Sequence, residues 1–213
     1  YLADQGIKEV PEWLVDMEAS GALEIEWVRN TGPYRKLIPV FRTCSDEDWI
    51  VTCDDDVIYG PQWLGCLVED AKCHPDAVVC GRARVPAYTP WGKRQSYLNW
   101  PLASPGSQGK HLLPTGISGV LYRKNLLSDL VMYSDRFLDL APKQDDLWFN
   151  LARQVKGSNV YVSEKAGDYV FSIDAPNPLS LSNAATNVSG WDSFIRAVFD
   201  RLRVRIKGYL GFD

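Results

Sequence analysis

Two short apolar runs, Trp49-Ile50-Val51-Thr52-Cys53 and Ala77-Val78-Val79-Cys80, flank a segment whose apolar residues recur at helical spacing. Trp63, Leu64, Leu67, Val68 and Ala71 fall on one side of a helix that Pro61 is placed to start and His74-Pro75 to end. Apolar runs of four or five residues read as strands buried on both faces. A strand, a helix and a second strand are most simply accommodated by a mainly parallel sheet with helices packed against it. Sheets of this kind place ligands at the carboxyl ends of their strands. The chemistry is therefore expected just after Cys53 and Cys80.

The rest of the chain fits an α/β domain. Val10, Trp13, Leu14 and Met17 share a helical face up to Gly21, and residues 23–28 alternate as a strand should. A short helix is expected over residues 34–42, kinked at Pro39. Residues 86–116 are rich in Pro, Gly, Ser, Tyr and Trp and read as one long loop, a form that compact domains usually keep for function. Further on, residues 118–123 read as a strand, 145–155 as a helix, 159–163 as a strand and 166–190 as loop. A terminal helix carries Trp191, Phe194, Ile195, Val198, Phe199 and Leu202 on one face, rimmed by Arg196, Arg201, Arg203, Arg205 and Lys207. That pattern suits core packing with a basic rim, or a helix lying on a membrane surface.

The formal net charge of -4 argues against a nucleic-acid partner, which calls for a basic excess. No apolar run approaches the roughly 20 residues that span a bilayer. The five cysteines are odd in number and form no CxxC pair, which favours free thiols in a reducing, cytoplasmic setting.

Asp54-Asp55-Asp56 follows directly on the first apolar run. Three adjacent carboxylates repel one another and raise each other's pKa unless something positive lies among them. An acidic turn that solvates a strand end is one reading. The other is a hard divalent cation, Mg²⁺ or Mn²⁺, which takes one or two carboxylates together with substrate phosphates. If the strand continues, Asp54 and Asp56 point to one side and Asp55 elsewhere, toward a ribose.

The segment from Ile50 to Tyr59, followed by Trp63-Leu64, resembles the DxD segment of glycosyltransferases with the GT-A fold. The closest resemblance is to bacterial family-2-like transferases that build surface polysaccharides. Asn30-Thr31-Gly32-Pro33-Tyr34-Arg35-Lys36 is similar to their donor-binding turn, and the segment from Pro114 to Val120 to their glycine-containing acceptor-side segment. Gln144-Asp145-Asp146-Leu147-Trp148-Phe149-Asn150 is similar to their late acidic motif. The QxxRW motif of processive synthases is absent, and the strand that usually opens the nucleotide site is not evident.

The resemblance implies a Rossmann-like GT-A domain with a nucleotide-sugar and metal half (residues 1–85), an acceptor and catalytic half (86–185) and a C-terminal amphipathic helix (186–213). It implies sugar transfer from a nucleoside diphosphate-sugar, UDP-sugars favoured, to a saccharide or lipid-linked saccharide, at or near the inner face of a membrane. Asp56 is the expected metal ligand, with help from Asp54. Asn30, Gly32, Arg35, Lys36, Asp54, Asp55 and Arg82 are expected on the donor, and Trp100, Gly116, Ser118 and Trp148 on the acceptor.

Asp146 is expected to deprotonate the acceptor hydroxyl, with Asp145 beside it, in an inverting displacement. Helix capping is the alternative for this pair. Lys36 and Arg35 suit a diphosphate or a solvated turn, and Trp91, Tyr97 and Trp100 an acceptor platform or anchors onto the core. Three rival readings stay open at this point: a retaining, exostosin-like transferase; a non-catalytic nucleotide- or sugar-binding module; and a metal-dependent nucleotidyltransferase or phosphatase.

Overall fold

The structure is a computed structural model that describes residues 2–3 and 10–173. Strand β1 (Leu2–Ala3) pairs in parallel with β2 (Trp27–Val28), and helix α1 (Glu12–Ala19) lies between them in sequence. Gly21, at φ +73°, closes the helix as expected. The apolar face does not bury: no α1 residue is buried and Trp13 is 60% exposed. Periodicity decides which residues share a face, and a partner element decides whether that face is covered.

Residues Gly32–Lys36 form a 3-10 turn, and helix α2 follows (Ile38–Thr43). The expected kink is a break at Leu37, and Pro39 occupies the first turn of α2, where no backbone donor is needed. Next come β3 (Trp49–Thr52), β4 (Val57–Tyr59), α3 (Trp63–Cys73) and β5 (Ala77–Cys80). Across the long loop, β6 (Ala83–Arg84) pairs antiparallel with β7 (Leu113–Pro114). The chain ends its described course with β8 (Val120–Arg123), α4 (Asp129–Met132), α5 (Phe137–Leu140), α6 (Asp145–Lys156), β9 (Asn159–Val162) and β10 (Val170–Ser172).

The central sheet has the order β3-β8-β5-β9. Strand β9 runs parallel to β5, whereas β8 is antiparallel to both β3 and β5. The expectation of a mainly parallel sheet is therefore corrected to a mixed one. Strands β3, β5 and β9 do share a direction, as their helical crossovers require. β8, however, arrives from a long loop instead of a helix, and inserts between β3 and β5 in the opposite sense. β3, read as central, is an edge of this four-stranded sheet among the described residues.

Alternation along the strands sorts the core into two layers. Ile50, Val78, Cys80, Val120, Tyr122, Val160 and Val162 face a layer built from α2, α6 and their aromatic neighbours Tyr34, Phe137 and Phe149. Ala77, Val79, Leu121 and Tyr161 face α3 through Trp63, Leu67 and Ala71. Helix α6 is fixed at its far end by the buried Arg153, which donates to Asn150 Oδ1 and to the carbonyls of Ser158, Lys110 and Leu112. This network ties the last turn of α6 to the segment that leads into β7.

Residues 170–172, expected as loop, pair antiparallel with β4. The expected terminal helix of residues 186–213 lies outside the described residues. Among the described residues no helix is long and apolar enough to cross a membrane. All five cysteines are free thiols.

Candidate functional site

Strand β3 stops at Thr52, and Asp55-Asp56 form the turn into β4. The expected strand-like alternation of Asp54 and Asp56 therefore does not apply. Asp54 is half-buried, while Asp55 and Asp56 are exposed and make no ion pair among the described residues.

Tyr59 holds the corner from behind. Its hydroxyl accepts the Asp54 N–H at 2.9 Å and donates to the Ile117 carbonyl at 3.2 Å. The Tyr59 ring packs on Trp63 with centroids 4.2 Å apart, and Trp63 Nε1 donates to the Ser118 carbonyl at 2.9 Å. Gly119, at φ +80°, lies so close to the Trp63 indole that a Cβ there would overlap it. Together these contacts latch the carboxylate corner onto residues 116–119. Tyr59, Trp63 and Gly119 were not singled out as site residues by the sequence, although Tyr59 stands only five residues beyond Asp54.

Lys36 lies at the centre of the site. Its Nζ is 2.9 Å from Asp54 Oδ1 and 2.8 Å from Asp145 Oδ2. It is carried by the 3-10 turn that the fully buried Tyr34 anchors, where Tyr34 stacks on Phe137 and donates to the Ala141 carbonyl. Burial alone would pull the ammonium pKa down, but Asp145, Asp146 and Asp54 together push it well above the usual lysine value. Lys36 is thus a fixed positive charge shared between two acidic segments 90 residues apart in sequence.

Asp146 does not cap its own helix. Both of its oxygens accept the Gly116 N–H at 3.1 Å, which turns the carboxylate toward the acceptor-side segment. A Cβ on Gly116 would stand 2.9 Å from Lys36 Nζ, 3.2 Å from Asp146 Oδ1 and 3.5 Å from Asp54 Oδ1. A side chain there would have to displace the Lys36 ammonium, so glycine leaves room for the three charges to gather. Burial, and then the neighbouring Asp145 charge, push the Asp146 carboxyl up to about 7, against the opposing pull of Lys36 and the Gly116 amide.

The remaining expected residues divide. Asn30 Oδ1 accepts from the Gly32 N–H at 3.0 Å and from Arg35 Nη1 at 3.3 Å, and Gly32 takes φ +62°, so Asn30, Gly32 and Arg35 form one compact turn leading to Lys36. Arg82 donates from Nε to Thr115 Oγ1 at 2.9 Å, beside Gly116, and burial lowers its pKa. Trp100 and Trp148, expected to meet the acceptor, are each only 4% exposed. Trp100 Nε1 donates to the Gln95 carbonyl, and Trp148 packs edge-on against Phe137. Both are core residues, because an indole gains more by burying its area than by waiting in solvent. Ser118 is likewise buried, and its carbonyl is taken by Trp63.

Among the described residues no group of three or more His, Cys, Asp and Glu side chains is arranged to hold a metal ion. The donor set nevertheless fits a hard cation in the mode that uses one or two carboxylates and completes its shell with phosphates and water. Asp56 and Asp55 are exposed acidic oxygens at a strand end, whereas Asp54 already shares its charge with Lys36.

The model of the family described as Glycosyl transferase family 2 matches residues 18–130, over half of the chain. The match takes in the Asn30–Lys36 turn, the carboxylate corner and Gly116, and stops before Asp145. No curated protein and no solved structure matches the chain.

Proposed function

The chain belongs to glycosyl transferase family 2, enzymes of the GT-A fold that transfer sugar from a nucleotide-sugar, and from that premise we propose an inverting transfer in which Asp146 is the base. The donor is a nucleoside diphosphate-sugar, UDP-sugars favoured, and the acceptor is a saccharide or lipid-linked saccharide of a surface polysaccharide or glycoconjugate. Residues 1–85 form the donor half and 86–185 the acceptor half. What supports this reading is the convergence of Lys36, Asp54, Asp145, Asp146 and Gly116 from four separate segments into one charged cluster.

In this mechanism the acceptor oxygen attacks the anomeric carbon while its proton passes to Asp146. The bond from the anomeric carbon to the diphosphate oxygen breaks, and the nucleoside diphosphate leaves with the electron pair. A carboxyl whose pKa lies near 7 is well matched to accept a proton at neutral pH and to lose it to water afterwards. Gly116 aims the carboxylate, and Lys36 keeps Asp145 and Asp54 from repelling it further. Asn30, Arg35 and Arg82 supply side-chain donors for the diphosphate and nucleoside, and Gly32 shapes the turn that carries the first two. Asp56, with Asp54 or Asp55, would hold Mg²⁺ or Mn²⁺, which would neutralise charge on the leaving diphosphate.

Calorimetric titration with UDP and GDP, each with and without Mn²⁺, tests the donor half on the wild type and Asp56→Ala. Tight, Mn²⁺-dependent binding of one nucleotide, made metal-independent in the variant, is the expected result. Equal binding with and without Mn²⁺ by the wild type would remove the metal from the donor site.

A further inference from the structure

Between Asp76 and Asp129 the chain has no Asp or Glu, in a protein whose acids outnumber its bases by 27 to 23. Within that stretch lie Arg82, Arg84, Lys93, Arg94, Lys110, Arg123 and Lys124. The charge is therefore strongly segregated along the sequence, and the long loop that follows β6 lies within the acid-free stretch.

That loop carries a built hairpin. Tyr88 bridges Arg94 across it, the Thr89 N–H donates to the Lys93 carbonyl at 2.7 Å, and the Lys93 N–H donates to Thr89 Oγ1 at 3.1 Å. Gly92, at φ +76°, donates to the Thr89 carbonyl at 2.9 Å and closes a turn over Pro90 and Trp91. The Arg94 guanidinium lies over the Tyr88 ring, 5.9 Å from its centroid. The base is tied to the domain through Val85 N–H to the Pro101 carbonyl and Ala103 N–H to the Ala83 carbonyl, both 2.9 Å. The tip is a closed, hydrogen-bonded turn, which reduces the ordering cost of docking it.

The tip presents Trp91 to solvent at 90% exposure, and further along the loop Leu98 is 65% and Leu102 55% exposed. Lys93 and Lys110 are exposed on the same loop. A saccharide platform needs an aromatic face backed by polar groups in a cleft. Trp91 stands exposed at the turn with Lys93 and Arg94 on the same hairpin, a combination that matches the interface of a bilayer carrying anionic headgroups.

We propose that this hairpin is a membrane-docking element, with Trp91 entering the headgroup region of an anionic bilayer while Lys93 and Arg94 meet its negative charge. The assignment does not depend on which sugar is transferred or on the identity of the base.

Co-sedimentation of the full chain with phosphatidylcholine vesicles, and with phosphatidylcholine–phosphatidylglycerol vesicles, is the test. The wild type is expected to bind the anionic vesicles and to be released by high salt. Trp91→Ala is expected to weaken that binding about tenfold, from the lost burial of one large apolar side chain. Lys93→Gln is expected to weaken it roughly fivefold, the effect of one cation near an anionic surface. Nucleotide affinity should stay at the wild-type value in both variants, which shows that they remain folded.

Failure of the wild type to prefer anionic vesicles would overturn the proposal. So would variants that sediment like the wild type, since binding would then come from elsewhere in the chain. If Trp91→Ala leaves vesicle binding intact but lowers turnover of a soluble saccharide acceptor, the hairpin is an acceptor platform and the membrane role is lost.

Discussion

The two acidic segments of the site are alike in composition and opposite in condition. Asp145 and Asp146 open a buried helix and have named partners: Lys36 for one, the Gly116 amide for the other. Asp55 and Asp56 turn outward in solvent, and no cation among the described residues compensates them. Asp54 belongs to both worlds, with its backbone latched by Tyr59 and its side chain shared with Lys36. The difference teaches a division of labour. Under the proposed mechanism, the charges that act at one point are fixed by the fold, and Asp146 among them has its proton affinity raised, whereas the charges that would bind and release an ion with its substrate are left solvated.

The strongest way to break this comparison is Asp146→Asn. Removing the proposed base is expected to lower kcat about a thousandfold, within the usual range for general-base catalysis, while nucleotide affinity is retained. Wild-type turnover should rise with pH and level off above about 7, because only the deprotonated carboxylate accepts a proton. The sign for stability is the reverse. A carboxyl raised from its ordinary value binds its proton more tightly in the folded state, so its contribution to stability is full below about pH 4 and is lost as pH rises through about 7. Urea unfolding of the metal-free protein should therefore show Asp146→Asn matching or exceeding the wild type above pH 7. A variant that is destabilised there and still turns over would make Asp146 structural.

Lys36→Met tests the fixed side more broadly. Breaking a buried ion pair by deleting one partner leaves carboxylates uncompensated and costs about 3 kcal/mol. The loss should be larger at pH 8 than at pH 5, where Asp146 is protonated and no longer repels its neighbours. The acid limb of the activity profile should also move to higher pH, since Lys36 is what holds the Asp146 pKa down. Equal stability of variant and wild type at pH 8 would mean that water, and not Lys36, balances these acids.

How much of this could be read beforehand follows from the range of each interaction. The Asp54–Asp56 corner and the acidic start of α6 are local patterns, an apolar strand end and a helix first turn, and both were legible in sequence. So was the α3 helix, whose Trp63, Leu67 and Ala71 are buried as their spacing implied, although Leu64, expected on the same face, is 48% exposed. The place of β8 between β3 and β5 was not, because its partners lie 40 and 68 residues or more away and no local residue specifies them. Lys36 was visible as a basic residue near the donor, yet its ion pair to Asp145 is a tertiary fact. Trp100 and Trp148 misled for a physical reason: an aromatic residue suits a sugar platform and a core equally, and only burial separates the two.

The smallest expected effect, and the sharpest test of the latch, is Tyr59→Phe. Burial pushes the Tyr59 hydroxyl pKa up to about 12, so at working pH it keeps its proton and donates to Ile117 while accepting from Asp54. Phenylalanine preserves the ring stacked on Trp63 and removes only that bridge. The loss of one such hydrogen-bonded group is expected to cost about 1 kcal/mol and to lower Tm by roughly 2–4 °C for a domain of this size. A residue that merely packed would show nothing more. A residue that positions the corner should also lose several-fold in Mn²⁺-dependent nucleotide affinity, while kcat at saturating donor and metal stays near the wild-type value. If Tm falls but metal-dependent affinity does not, the exposed acids organise themselves around the ion without the latch. The fixed and the solvated halves of the site would then be independent, and the contrast between them would be one of location alone.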